Sequence, residues 1–499
     1  MSLEIPQQQI RAIRRLLLTV SLFCFLVAAK SRGCLDETRS ANAAARVVVM
    51  NPVNETSNRA DTVGAESAPA TAISARGRRW ILLILILGTA MSSVDRQILP
   101  LLLEQIKRSF QLSDTQLGIL TGPSFFLLYA FCALPLAVVS DRISRRLVIV
   151  WCLAAFSMMT ALSGLAPGFL LLIILRMGIA IGEAGNVPAS QAMVGDIYGR
   201  SQLTSAMSWL YFSQSIGTTC GFLLGGFLGQ WLGWRLTFVV VGLPGVLLAF
   251  AAYFVLPQNN AATSHVRASR LGTNVVPLKV SARFLWSQAT YRYLTLANAI
   301  WAFASAGIAM WTAIFIGRIY KFPPAQIGMI MALVIGVIGA IGLSVIGTLA
   351  QRMDRRDVRW PLWIVAISSL VSAPLACLTF LSQNGALAWL GGSLLAFVSV
   401  STQGSVASTV QMLVPPHMRS IAVAIKHVVV TAIGAGTAPL VVGIFNDVLA
   451  VSYGDQAVRY TLASLSVLFP VAAVFFYIAA RSLRSDIDRA ETWEETANS

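Results

Sequence analysis

Charge is what this 499-residue chain has least of: only 12% of its residues are charged, against 56% hydrophobic. Soluble domains carry about twice that charged share, and the apolar residues here recur in runs close to the ~20 needed to cross the hydrocarbon core of a bilayer. Histidine is nearly missing, and His265, His417 and His427 stand apart, so no metal site is expected. The six cysteines (Cys24, Cys34, Cys132, Cys152, Cys220, Cys377) lack ligand-like spacing; most lie in apolar runs and read as small apolar residues, not a disulfide framework. No GxxxxGK-S/T loop occurs, which argues against an ATP-driven pump within this chain. A membrane-embedded enzyme would need a nucleophile–base set or a metal cluster, and none is evident, so the chain is read as a non-enzyme without a cofactor. No segment between the apolar runs is long or apolar enough to fold as a soluble signalling domain, which leaves a non-transporting receptor as the weaker alternative. The net charge of +16 is spread through short loops. It therefore reports membrane topology rather than a nucleic-acid partner.

What is present is an all-α polytopic membrane protein with twelve spans. They fall near 80–103, 115–139, 147–166, 168–190, 203–229, 235–256, 293–316, 326–350, 360–381, 385–411, 420–445 and 460–480. This divides the chain into an N-terminal extension (1–79), a six-helix half (80–256), a linker (257–290), a second six-helix half (291–482) and a tail (483–499). Arg142, Arg145, Arg146, Arg200, Arg352, Arg355, Arg356, Arg359 and Arg419 fall in alternate loops, which predicts that those loops and both termini are cytoplasmic in an inner (plasma) membrane. In the extension, Arg11, Arg14 and Arg15 precede an apolar run at 16–29, like the start of a signal peptide. Arg76, Arg78 and Arg79 argue instead for a cytoplasmic start of the first span. Two readings stay open for residues 1–49: a start codon placed too early, with Met50 as the true first residue, or a short interfacial helix. Residues 50–75 read as a disordered lead-in.

Two spans break the apolar rule. The first carries Asp95 and Arg96, and the fourth carries Arg176 and Glu183. A charge at such depth costs ~2.5–3.5 kcal/mol on insertion scales and persists where it faces a partner or a wet cavity. Arg176 and Glu183 are seven residues apart, two helical turns, so both leave the helix on one face. Counting 1.5 Å per residue puts Asp95 and Arg176 at similar heights, and Glu183 about 10 Å further along. A buried carboxylate favours its ionised form beside a cation and its protonated form without one. A carboxylate whose surroundings switch is what proton-coupled transport needs. Glu183 is the first candidate proton site and Asp95 the second, with Arg96 and Arg176 as charge partners; the bland alternative is a static ion pair fixing helix register.

The halves repeat. Residues 137–146 (AVVSDRISRR) align with 347–356 (GTLAQRMDRR) at an offset of 210, each following the second span of its half. Such a duplication is the architecture of a rocking-bundle transporter with its site between the halves. The first loop resembles the signature G-x-L-a-D-r-x-G-R-K/R of the major facilitator superfamily through Asp141, Arg142, Arg145 and Arg146, with Ala137 and Ser144 in place of glycines. The second copy keeps Gly347, Leu349, Arg352, Arg355 and Arg356 but has Gln351 at the aspartate position. V-D-R at 94–96, R-x6-G-E-A at 176–184 and P-A-S…D at 188–196 are similar to the spinster-like branch of that superfamily. The resemblance implies proton coupling and conformational switching at Asp95, Arg96, Arg176 and Glu183, and it implies no particular substrate, although several members of the branch export lysolipids.

For Asp141, Arg142, Arg145 and Arg146, with Arg352, Arg355 and Arg356, the functional reading is a cytoplasmic gating latch; topology-setting charge uses the same residues. Gly217, Gly221 and Gly225, spaced by four, predict close helix packing. Lys426, near the interface end of the eleventh span, is either a snorkelling lysine or a docking point for an anionic substrate. Trp311 and Gln214 are further candidate substrate contacts. The expected function is secondary active transport of a small organic solute, amphipathic or anionic, by alternating access coupled to protons. An uncoupled facilitator or exchanger is the alternative. The expected partners are that small-molecule substrate, protons and the lipid bilayer, and the chain is expected to act as a monomer.

Overall fold

In the computed structural model, residues 74–257, 278–399, 402–415 and 418–498 are described. The expectations for residues 1–73 and 258–277 lie outside these described residues. Among the described residues, twelve long helices, some in pieces, follow one another. The first half holds α1 (Ala75–Phe110), α2 (Asp114–Thr121, a π-helical turn Pro123–Leu127, then Leu128–Arg142), α3 (Arg145–Ser163), α4 (Phe169–Ile197), α5 (Arg200–Trp231) and α6 (Gly233–Val255). An amphipathic helix, Leu278–Ser287, leads into the second half. There follow α7 (Ala289–Tyr320), α8 (Pro324–Met331, π-helical Ala332–Ile338, Gly339–Asp354), α9 (Trp360–Leu381) and α10 (Gly385–Ser399 and Thr402–Met412). Then come α11 (Arg419–Val430, π-helical Thr431–Ala435, Ala438–Tyr453) and α12 (Ala457–Ser464, the 3-10 turn Leu465–Val467, Leu468–Asn498).

Among the described residues, ten stretches are long and apolar enough to cross a membrane. The two counts agree once the helices are traced. The stretch Ile421–Ala490 contains both α11 and α12, parted at Gly454–Gln456. Helix α5 falls short on composition because it is rich in Ser, Thr, Gln and Gly. Large apolar side chains face outward, among them Leu247, Phe250 and Phe254 on α6, Trp151 on α3 and Leu170 on α4. A surface of that kind is stable against lipid, not water.

Helix ends follow local chemistry. Ser74 caps α1 by accepting from the Gly77 N–H at 3.1 Å, and α1 therefore begins five residues before the apolar run. Ser113 and Gln116 form a reciprocal capping box on α2 (3.2 and 2.9 Å). Leu232 alone separates α5 from α6, and Gly233 opens α6 at φ +75°, a conformation that a side chain would strain. Helix α12 continues well past residue 480, where the apolar run ends. Its buried Asp486 accepts the Thr290 N–H at 2.7 Å and so caps α7.

Within the first half α1 packs on α5, and α3 packs on α4 and α6; within the second α7 and α9 pack on α12. The expected glycine stripe is the α1–α5 seam. A Cβ on Gly217 would lie 2.8 Å from the Ser93 Cβ, and one on Gly221 or Gly225 would lie 3.0 Å from a backbone Cα of α1. Across the halves α2 meets α11 and α5 meets α8. Three π-helical turns sit in these crossing helices, two of them facing each other in α2 and α11. Such turns rotate side chains out of the α register and are frequent at functional sites. The face on which α1 begins and α12 ends is called proximal below, and the opposite face distal.

Candidate functional site

Helices α1 and α4 run antiparallel and share a buried polar seam. Nearest the distal face, Arg176 donates from Nη1 to Asp95 Oδ2 at 2.7 Å. The Thr160 hydroxyl of α3 donates to the other oxygen of Asp95 at 2.6 Å. The Arg176 guanidinium stacks 4.5 Å over the ring of Phe125, in the π turn of α2. Asp95 and Arg176 are 2% and 5% exposed. Both charges are therefore fully desolvated, a cost recovered only by good geometry.

Two turns further along α4 lies Glu183, fully buried. Its Oε2 accepts from the Ser92 hydroxyl at 2.8 Å and is ion-paired with Arg96. Arg96 also donates to the hydroxyls of Ser92 (2.8 Å) and Ser93 (3.2 Å). Its side chain keeps 22% exposure while Glu183 has none. Arg96 is thus the lid over Glu183, and it is the member of the pair that solvent reaches. The four charges singled out in the sequence form two pairs at two depths. Spacing and height foretold the Asp95–Arg176 pair, but not the Arg96–Glu183 pair, nor the roles of Ser92, Thr160 and Phe125. Ser92, one turn before Arg96, was the available signal.

At the proximal face, Arg145 pairs with Asp196 at the end of α4 and donates to the Ala192 carbonyl at 3.3 Å. Arg146 reaches the Tyr253 carbonyl and lies 4.7 Å over its ring. These contacts bind α3 to α4 and α6 within one half. The side chains of Asp141 and Arg142 lie outside the described residues. Arg352, Arg355 and Arg356 are exposed at the end of α8. In the following loop Asp357 accepts the Arg359 N–H at 3.0 Å and pairs with Arg484 at 2.9 Å. That backbone N–H, with the Arg484 guanidinium, holds the Asp357 carboxyl below the usual carboxylate range.

The distal face is where charges join the two halves, through residues that the sequence analysis does not single out. Arg318, at the end of α7, donates to both oxygens of Asp114 at 2.6 and 2.7 Å and to Glu104 at 3.2 Å. Lys107 also pairs with Asp114. Asp447 of α11 caps α2, accepting the N–H groups of Asp114 (2.9 Å) and Thr115 (2.8 Å) and the Thr115 hydroxyl (2.6 Å). Just below, Gly226 of α5 meets Gly328 of α8, where a Cβ on Gly226 would lie 2.9 Å from the Gly328 Cα. This arrangement is closed at the distal face.

The three candidate substrate contacts are dispersed. Trp311 is 1% exposed and its indole N–H donates to the Pro439 carbonyl at 3.1 Å, so it packs α7 against α11 instead of facing a cavity. An aromatic residue in mid-span reads the same in either setting. Gln214 and Lys426 are half-buried on α5 and α11. Trp301 lines a cavity of about 270 Å³ inside the second half. That cavity is bounded by Tyr320, Met331, Thr379, Trp389 and Leu395 and is largely apolar. The Thr312, Thr379 and Ser399 hydroxyls at its wall already donate to carbonyls of their own helices.

The model of the Major Facilitator Superfamily matches residues 85–439. An "MFS-type efflux pump" of Mycolicibacterium smegmatis is 30% identical over 414 residues, 82% of this chain and 94% of its own length. The mouse (Mus musculus) "Sphingosine-1-phosphate transporter SPNS2" is 25% identical, over 82% of this chain and 78% of its own. Among solved structures, that of a bacterial homologue of the human lysosomal transporter spinster superposes with a TM-score of 0.73 at 24% identity. It covers 83% of this chain and 99% of its own.

Proposed function

The chain belongs to the major facilitator superfamily, resembles its spinster-like branch and is a multi-pass membrane transporter, not an enzyme; from that premise we propose that it moves a small amphipathic or anionic solute by alternating access, coupled to protons through Glu183. The observation that carries the reading is the Arg96–Glu183 pair, in which a fully buried carboxylate holds an arginine that solvent reaches.

The chemistry follows from charge balance. While Glu183 is ionised, its carboxylate occupies Arg96. When Glu183 binds a proton, that ion pair is lost and Arg96 is released to a second anion. An anionic headgroup at Arg96 and a proton on Glu183 therefore favour one another, and by linkage the preference is reciprocal. Asp95 and Arg176 are enclosed by Thr160 and Phe125, and we assign that pair to holding α1 and α4 in register. The 270 Å³ cavity of the second half suits an apolar body, and the name of the mouse relative, with its sphingosine and phosphate, has the same combination of apolar body and anionic head. The chain acts as a monomer in an inner membrane with both termini cytoplasmic. The distal face is then the outer one, and the arrangement described is inward-facing.

The test is ligand-induced thermal stabilisation of purified protein at two pH values, with lysophospholipids, sphingoid phosphates, sugar acids and cationic amphiphiles. Anionic amphiphiles are expected to stabilise the wild type more strongly at the lower pH, and Glu183→Gln to make that stabilisation pH-independent. Stabilisation indifferent to pH and to Glu183→Gln would favour an uncoupled facilitator or exchanger.

A further inference from the structure

The polar seam between α1 and α4 does not end at Glu183. One turn nearer the proximal face, Asn186 is 1% exposed, and among the described residues neither its Oδ1 nor its Nδ2 has a protein hydrogen-bond partner. The same holds for Oε1 of Glu183, the carboxylate oxygen that Arg96 and Ser92 leave free. Residues three apart on a helix share a face, so the unused oxygen and the unused amide belong to one stripe. Opposite Asn186 stands Gly88 of α1: the Asn186 Nδ2 lies 3.9 Å from where a Cβ on Gly88 would be. The next residue of the stripe is Ser190, also buried. At the proximal end the Tyr198 hydroxyl donates to the Arg78 carbonyl of α1 at 3.0 Å.

A buried amide with both ends unsatisfied is costly, and each such group in a folded protein calls for a reason. Here the reason fits the position. Arg96 lies over Glu183 on the cavity side, and while Glu183 is protonated that side is taken by Arg96 and the anion it holds. The interior stripe between α1 and α4 continues from Glu183 with the buried polar Asn186 and Ser190 before it reaches Met193 and Val194, and Asn186 can both donate to and accept from a water. We propose that Asn186 is the relay through which Glu183 exchanges its proton with the proximal side. On release the O–H bond of the Glu183 carboxyl breaks, and the proton passes to a water held by the Asn186 amide. The carboxylate left behind pairs with Arg96, and the hydronium passes the proton onward past Ser190. Asn186 itself neither gains nor loses a proton. The charged and titratable groups facing Glu183 are Arg96 and Asp95 of α1, Tyr129 of α2 and Arg176 of α4, with Cys152 of α3 beside Gly185. None of them occupies the stripe beyond Asn186.

The inference rests on Glu183 being the proton site, and the experiment separates the two claims. Infrared difference spectroscopy of the purified full chain after a pH jump follows the carboxylic C=O band, with the proton as the only probe. A band lost in Glu183→Gln identifies Glu183. Asn186→Leu is then expected to slow the rise of that band by about a hundredfold, with its final amplitude kept, and Asn186→Ser, small but polar, to recover much of the rate. A wild-type rate in Asn186→Leu would overturn the relay while leaving Glu183 as the proton site. Equal slowing in the Leu and Ser variants would also overturn it, since packing and not polarity would then set the rate. A spectrum unchanged by Glu183→Gln would remove the proton-site reading, and the relay with it.

Discussion

Breaking the Asp95–Arg176 pair should cost far more than replacing it. Both partners are at most 5% exposed and meet at 2.7 Å. Asp95→Asn leaves the guanidinium buried without a counter-charge, and Arg176→Met leaves a carboxylate with only the Thr160 hydroxyl. Stranding one member of a buried pair typically costs about 3–5 kcal/mol. Arg176→Met also loses the stacking on Phe125, worth up to about 2 kcal/mol when desolvated, although a thioether keeps part of that contact. In the double variant no charge is stranded, the asparagine still accepts from Thr160, and the methionine fills the arginine's volume. The double variant should therefore lie within about 1.5 kcal/mol of wild type, and the cycle should return a coupling of about 4.5 kcal/mol or more. Equilibrium unfolding in mixed micelles, read by tryptophan fluorescence and checked for reversibility, measures all four proteins. Single variants that each cost under about 1 kcal/mol and add linearly in the double would refute the reasoning. The double variant should also keep transport, because this pair is assigned to register.

Two further expectations concern the distal closure. Arg318→Ala removes four hydrogen bonds to Asp114 and Glu104 from a side chain that is 12% exposed. At about 1.5–3 kcal/mol for a hydrogen bond to a charged group, even one such loss shifts the closed-to-open ratio by tenfold or more, visible as a longer distance between spin labels at positions 111 and 453; an unchanged distance distribution would remove Arg318 from the gate. Gly226→Val places branched carbon where the Gly328 Cα stands 2.9 Å from a bare Cβ, so the variant should insert and bind ligand but stall transport with the distal face open, whereas wild-type turnover would show that this crossing is not needed for closure.

The fold was largely legible because a bilayer imposes severe rules. Apolar run length gave the twelve helices, and the repeat of 137–146 at 347–356 pointed to the two halves. The candidate site was legible in part. The cost of burying charge singled out Asp95, Arg96, Arg176 and Glu183, and helical rise placed Asp95 level with Arg176. Rise fixes height but not the direction in which a side chain leaves the bundle, so the partner of Glu183 was not readable. The distal cluster escaped for a different reason. Glu104, Asp114, Arg318 and Asp447 lie at helix ends far apart in the chain, where a charge is cheap and carries no signal. Trp311 packs α7 against α11, and burial in a core and exposure to a cavity select the same residue.

The most direct test of the account is proton movement driven by substrate. The wild type and Glu183→Gln would be reconstituted in tight liposomes holding a pH-sensitive dye, with an anionic amphiphile from the binding panel supplied on one side. The account predicts that the wild type changes the internal pH as the solute crosses, and that Glu183→Gln still binds and exchanges the solute without moving protons. Solute movement in the wild type with no pH change, or a proton flux that survives Glu183→Gln, would contradict it.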